Sequence, residues 1–95
     1  RFNKHKIRQM SEFKQTPITF YSLENCAPCE RYAPIAAKAF KDKDFTLFKV
    51  LRSEQDVIEH LKIRYNMKTF PFMVIGERAL HSGETALLLN SLNIP

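Results

Sequence analysis

The chain has no tryptophan, only two glycines among its 95 residues, and no run of eighteen apolar residues. The last absence excludes a membrane-spanning helix in these residues. So little glycine excludes a collagen, and no serine- and threonine-rich tract marks a mucin. Two cysteines are too few for a small disulfide-stapled toxin scaffold, and there is no internal repeat. What is present is an ordinary globular balance, 44% hydrophobic and 26% charged, at a length suited to one domain with one core. The net charge of +5 is unevenly placed. Residues 1–14 carry Arg1, Lys4, Lys6, Arg8 and Lys14 against a single Glu, which leaves ten basic against nine acidic residues for 15–95. A near-neutral body argues against nucleic-acid binding, which needs basic residues gathered on the folded surface.

Residues 1–15, "RFNKHKIRQMSEFKQ", read as a basic N-terminal arm or solvated helix, with the stub following a membrane anchor as the other reading. The chain opens on Arg1 rather than Met, and the expectation upstream is a tag remnant, a disordered stretch, or a cleaved or anchoring segment. Residues 16–95 form the second unit. "PITFYS" alternates Ile18 and Phe20 with Thr19 and Tyr21 and predicts a strand. Tyr32, Ile35, Ala36, Ala39 and Phe40 recur at helical spacing, and "FTLFKVL" (45–51) has strand composition. Ser53 with Asp56 resembles a capping box ahead of a helix marked by Val57, Ile58, Leu61 and Tyr65. "FMVI" (72–75), a turn at Gly76-Glu77 and "ALH" (79–81) predict a hairpin, with His81 as a strand-end residue. Ser82-Gly83 then breaks the strand, and "ETALLLNSL" (84–92) forms a closing helix. The order β-α-β-α-β-β-α implies an α/β domain: a small mixed sheet covered by helices on both faces, with room for an extra helix in front.

Both cysteines lie in "ENCAPCERYAP", where the first strand gives way to the first helix. Pro28 suits the first helical turn, where its missing N–H removes no bond. Cys26 then meets unpaired N–H groups and the positive end of the helix dipole, which favour a thiolate and an outward, attacking role. Cys29, one turn inside, is the less exposed thiol and suits resolution of a mixed disulfide. A zinc site is disfavoured, because His5, His60 and His81 are scattered and supply no second ligand pair. A structural disulfide over so short a loop is credited with only about 2 kcal/mol. Inert cysteines remain open as a reading.

"CAPCERYAPI" resembles the thioredoxin motif C-G-P-C-x-x-x-A-P, including Pro34 five residues after Cys29. "RYNMKTFPFMVIGERALHSG" is similar to the thioredoxin segment running through the cis-proline and hairpin to a glycine, with Pro71 and Gly83 at those two places. The approach "ITFYSLENC" looks more like glutaredoxin, or the glutaredoxin-like hydrogen donors of ribonucleotide reductase. The resemblance covers about residues 16–93. It implies a thioredoxin-like fold with a central mixed four-stranded sheet. It also implies thiol-disulfide oxidoreductase activity on Cys26 and Cys29, no cofactor, and a substrate groove lined by Ala27, Pro28, Thr69, Phe70, Pro71, Ser82 and Gly83. The implied partners are protein disulfides or dithiols and a redox-recycling protein, with glutathione as an alternative and with the chain a monomer.

The departures are specific. Asn25 stands where thioredoxins carry a Trp, and Phe20 where they carry a buried Asp. Leu23 and Glu24 replace the glutaredoxin Lys, and "HSGET" only partly matches the later glutathione element. An iron-sulfur cluster shared between two chains through glutathione is disfavoured on the same ground. Tyr32 and Pro34 are expected to pack and kink the helix, and Glu30 to be surface. Arg31 either supports a thiolate or is a solvated helix residue. A binding module with vestigial cysteines is the competing function class. Compartment stays open, with a cytoplasmic setting slightly favoured over a periplasmic or membrane-anchored one.

Overall fold

The computed structural model describes residues 16–93. The basic segment 1–15 lies outside the described residues. Four strands and three helices follow one another as β1 (Ile18–Leu23), α1 (Ala27–Ala39), β2 (Phe45–Val50), α2 (Gln55–Tyr65), β3 (Phe72–Ile75), β4 (Arg78–Leu80) and α3 (Ser82–Leu92). The sheet order is β2-β1-β3-β4. Strands β1 and β2 are parallel, with Leu23 opposite Val50. The β1–β3 and β3–β4 pairs are antiparallel, with Tyr21 opposite Phe72 and Met73 opposite Leu80. This is a small α/β domain on a mixed sheet, compatible with the thioredoxin-like fold.

Alternation along β1 assigns the two faces of the sheet. Ile18 and Phe20 pack with Ala36 of α1, Met73 and Leu89 of α3. Tyr21 and Leu23 point the other way, toward Leu61, Val57 and Ile58 of α2, Val50, Phe72 and Val74. The cysteines, at the mouth of α1, belong to this second cluster. Tyr21 stacks on Phe72 with centroids 4.8 Å apart, and Phe72 in turn meets Phe70 at 5.4 Å. Packed apolar side chains therefore run from the middle of the sheet to the residue before Pro71. Strand β2 is an edge, and its Leu47 and Phe48 are exposed on opposite faces. Ala39, expected on the buried stripe of α1, is exposed, because the helix ends there and Phe40 becomes its C-cap.

Two expectations about helix starts fail. Ser53 and Asp56 do not form a capping box. The N-cap of α2 is Glu54, with no side-chain cap bond, and its carboxylate turns back to accept the Leu51 N–H at 2.9 Å. His81 is not a strand end, and Ser82-Gly83 is not a break. His81 is the N-cap of α3: its Nδ1 accepts the Glu84 N–H at 3.2 Å, while Glu84 Oε1 accepts the His81 N–H at 3.2 Å. This reciprocal pair lets the helix begin at Ser82 instead of Glu84. Gly83 has a local role here, since a Cβ would come within 3.1 Å of the His81 ring that forms the cap.

Candidate functional site

Strand β1 ends at Leu23, and the chain turns through Glu24 and Asn25, the latter at φ 54°. Asparagine is among the few side-chain-bearing residues that tolerate this left-handed conformation. The turn delivers Cys26 to the N-cap of α1 in extended geometry, φ −123° and ψ 110°. Its sulfur accepts the Cys29 N–H at 3.3 Å, one of the donors that a helix start leaves without a backbone partner. Cys26 and Cys29 are joined as a disulfide with their Cα atoms 5.2 Å apart. The Cys29 sulfur also accepts the Leu23 N–H at 3.4 Å.

Exposure separates the two sulfurs less than the sequence implies. Cys29 is fully buried, but Cys26 is itself only 9% exposed. The expectation of an outward-facing Cys26 is therefore corrected to a narrow one. The backbone around residue 70 closes over it, and Cys26 Sγ lies 3.9 Å from the Phe70 carbonyl oxygen. An approaching group still meets Cys26 first, because Cys29 offers no surface at all. Ala27 and Pro28, beside the sulfurs on the first turn of α1, are exposed.

The Phe70–Pro71 peptide is cis. Phe70 and Pro71 are buried while Thr69 is exposed, so this segment offers little more than its rim to solvent. Ser82 fixes it from α3. The Ser82 hydroxyl has one proton, and the shortest acceptor is the Pro71 carbonyl at 2.7 Å; the Thr69 hydroxyl, 2.8 Å away, then donates to Ser82 Oγ. The Thr69 carbonyl is a more distant third neighbour at 3.2 Å. Thr69, Ser82 and Gly83 also line a cleft of about 320 Å³ together with Asn66, Met67, Lys68 and His81. Neither cysteine lines that cleft. The nine residues singled out thus fall into two groups: Cys26, Ala27, Pro28 and Cys29 beside Phe70, and Thr69, Pro71, Ser82 and Gly83 around α3.

Other candidates take structural places. Arg31 lies with its guanidinium carbon 5.7 Å from the Tyr32 ring centroid, and Tyr32 accepts a hydrogen bond from Asn90 at 3.1 Å, tying α1 to α3. Glu30 is exposed, and Pro34 sits inside α1 on its exposed side. Phe20 is fully buried in the α1-facing core. The buried polar residues among those described are Ser22 and Thr85, neither of them a carboxylate. Burial, followed by the hydrogen bond and charge of Tyr65, pushes the Tyr21 phenol up to about 12. Among the described residues no cluster of three or more His, Cys, Asp or Glu side chains is placed to hold a metal ion, and no helix is long and apolar enough to cross a membrane.

Sequence reasoning missed Arg52. Its side chain bonds to the carbonyls of Glu24 and Asn25, immediately before Cys26. No local motif marks it, because the contact spans 27 positions. The available signal is the parallel strand pair, which brings the residues following Leu23 and Val50 together once their register is known. Comparison of this chain with protein-family models, with curated proteins and with solved structures finds no match.

Proposed function

We propose that this chain is a thiol-disulfide oxidoreductase of the thioredoxin-like superfamily, exchanging disulfides with protein substrates through Cys26 and Cys29. The observation that carries this reading is the seat of Cys26: an N-cap whose sulfur accepts a helix N–H and faces the Phe70 carbonyl. In the dithiol form the Cys29 N–H and the helix dipole favour the Cys26 thiolate. The thiolate attacks one sulfur of a substrate disulfide, forms an intermolecular disulfide and releases the other substrate sulfur as a thiolate. Cys29, one turn away, then attacks the Cys26 sulfur. The Cys26–Cys29 bond forms, the intermolecular bond breaks, and the second substrate thiol leaves. The substrate is reduced by two electrons and the pair is oxidised; a dithiol donor restores it, and the reverse sequence oxidises a substrate dithiol.

The test is trapping. Cys29→Ser keeps the attacking sulfur and removes the resolving one, so reducible higher-mass conjugates should accumulate, whereas Cys26→Ser should trap almost nothing. Equal trapping by both variants would reverse the assignment of roles. Absence of conjugates alongside stable partner binding by the unsubstituted chain would favour a docking module with inert cysteines.

A second reading, a glutathione-dependent exchange, rests on the cleft beside Thr69, Ser82 and Gly83, which neither cysteine lines but which adjoins the Phe70–Pro71 segment facing Cys26. Lys68 on its wall offers a cation for a peptide carboxylate. Faster turnover of a small glutathione mixed disulfide than of a protein disulfide would favour that reading over the first.

A further inference from the structure

The loop between β2 and α2 is clasped to the turn that carries Cys26 by bonds running in both directions. With Leu23 opposite Val50, the chain leaves both parallel strands side by side, and the Glu24 N–H donates to the Val50 carbonyl at 2.8 Å. Beyond that point the Arg52 N–H donates to Glu24 Oε2 at 3.0 Å. The Arg52 side chain reaches back: Nε donates to the Glu24 carbonyl at 2.8 Å and Nη2 to the Asn25 carbonyl at 2.9 Å. Its own backbone is steadied by Gln55, whose Nε2 donates to the Arg52 carbonyl at 2.6 Å.

The Asn25 carbonyl belongs to the same planar peptide group as the Cys26 N–H. Asn25 holds a left-handed φ of 54°, a single-residue conformation that asparagine tolerates, so holding the turn at one geometry calls for a further constraint. A guanidinium spanning two successive carbonyls supplies that constraint, because its planar fork fixes two acceptors at once. Among the described residues the ion pair present is His81 with Glu84, so the guanidinium is not paired to a carboxylate there. Two nearby acids accept backbone N–H groups, Glu24 that of Arg52 itself and Glu54 that of Leu51.

We infer that Arg52 is a positioning residue for Cys26: its two-pronged grip on the Glu24 and Asn25 carbonyls holds the attacking sulfur at the helix mouth when the disulfide is open. This rests on the exchange reading above. The grip matters most in the dithiol form, where no covalent bond to Cys29 fixes the sulfur, and where the guanidinium also offsets the negative ends of two carbonyl dipoles beside a thiolate.

The experiment measures, in a Cys29→Ser background, the rate at which Cys26 attacks an aromatic disulfide that releases a coloured thiolate, as a function of pH. Arg52→Gln removes charge and fork; Arg52→Lys keeps the charge but cannot bridge both carbonyls. Both should slow the reaction about tenfold, and Arg52→Gln should raise the pH midpoint by about half a unit or more. Glu54→Ala, which breaks a bond internal to the same loop, should leave the rate within about twofold and the midpoint within about 0.3 unit of the Arg52 protein. Full rescue by Arg52→Lys would overturn the positioning role in favour of charge alone. Wild-type rates in both Arg52 variants, or an equal loss in Glu54→Ala, would overturn it as well. A chain that fails to attack any disulfide with Arg52 intact would instead overturn the exchange reading, and this inference with it.

Discussion

Two serines donate the same kind of bond at the same length, and they should differ sharply in worth. Ser82 Oγ donates to the Pro71 carbonyl at 2.7 Å, across eleven positions and in a part-buried setting. Ser91 Oγ donates to the Leu88 carbonyl at 2.7 Å, within one turn of α3 and in an exposed setting. Removing the Ser91 hydroxyl hands its acceptor to water, and alanine is the better helix former, so Ser91→Ala should change stability by about 0.5 kcal/mol or less. Removing the Ser82 hydroxyl leaves a carbonyl of the buried Pro71 without its donor and deprives the Thr69 hydroxyl of its acceptor. Thr69 is exposed and recovers water. The carbonyl does not, and the cost should be about 1–2 kcal/mol. For a chain of this size each kcal/mol moves the melting temperature by about 4–8 °C. Urea unfolding of both variants as oxidised proteins is the assay, with the midpoint shifting and the slope unchanged for Ser82→Ala. Equal stability of the two variants would refute the reasoning, since it would mean that the bond from α3 does not hold the Thr69–Pro71 segment.

Asn66 ends α2 at φ 55° and ψ 44°, with the Met67 N–H donating to the Lys62 carbonyl at 2.9 Å. Asn66→Gly should be neutral or stabilising and Asn66→Ala destabilising by about 1 kcal/mol, a difference that chemical denaturation resolves. Tyr21 should ionise near pH 12 in a spectrophotometric titration. Its folded pKa stands above the ordinary tyrosine value of about 10, so the stability it contributes is fully present below pH 10 and is lost as pH rises through about 12. A Tyr21→Phe protein that keeps a phenol step near pH 12 would contradict that assignment.

Much of the domain was legible because its signals are local. The alternation of Ile18 and Phe20 marked β1, the spacing of Val57, Ile58, Leu61 and Tyr65 marked α2, and Gly76, at φ 62° between β3 and β4, marked the hairpin. Pro28 fixed the mouth of α1 and hence the seat of Cys26. The misreadings occurred where a side chain had two partners to choose from. Ser53 and Asp56 have capping-box spacing, but the helix start depends on Glu54, which is committed to Leu51. His81 reads as the end of a strand because histidine is not a usual cap, although Glu84 three residues on is the residue a capping box requires. The near-burial of Cys26 could not be read locally, since the Phe70 carbonyl that faces it comes from 44 positions away.

The distant partners nonetheless converge for a topological reason. In a parallel pair both strands end on the same edge of the sheet, so the turn after Leu23 and the loop after Val50 must be neighbours. An antiparallel partner begins where its neighbour ends: β3 starts at Phe72, paired with Tyr21, and this places Phe70 and Pro71 at that same edge. The hairpin then returns β4 to finish at Leu80, opposite Met73, which brings His81 and Ser82 back beside the start of β3. Four segments separated in sequence are thereby delivered to one end of a four-stranded sheet before any side chain is chosen. The residues found there then lock it. Arg52 grips the turn before Cys26, Ser82 grips Pro71, and Cys26 faces Phe70 between them. A chemistry that needs a sulfur held at one depth and one angle gains from this arrangement, because each neighbour of the sulfur is anchored to a different strand and loosening one grip leaves the others in place.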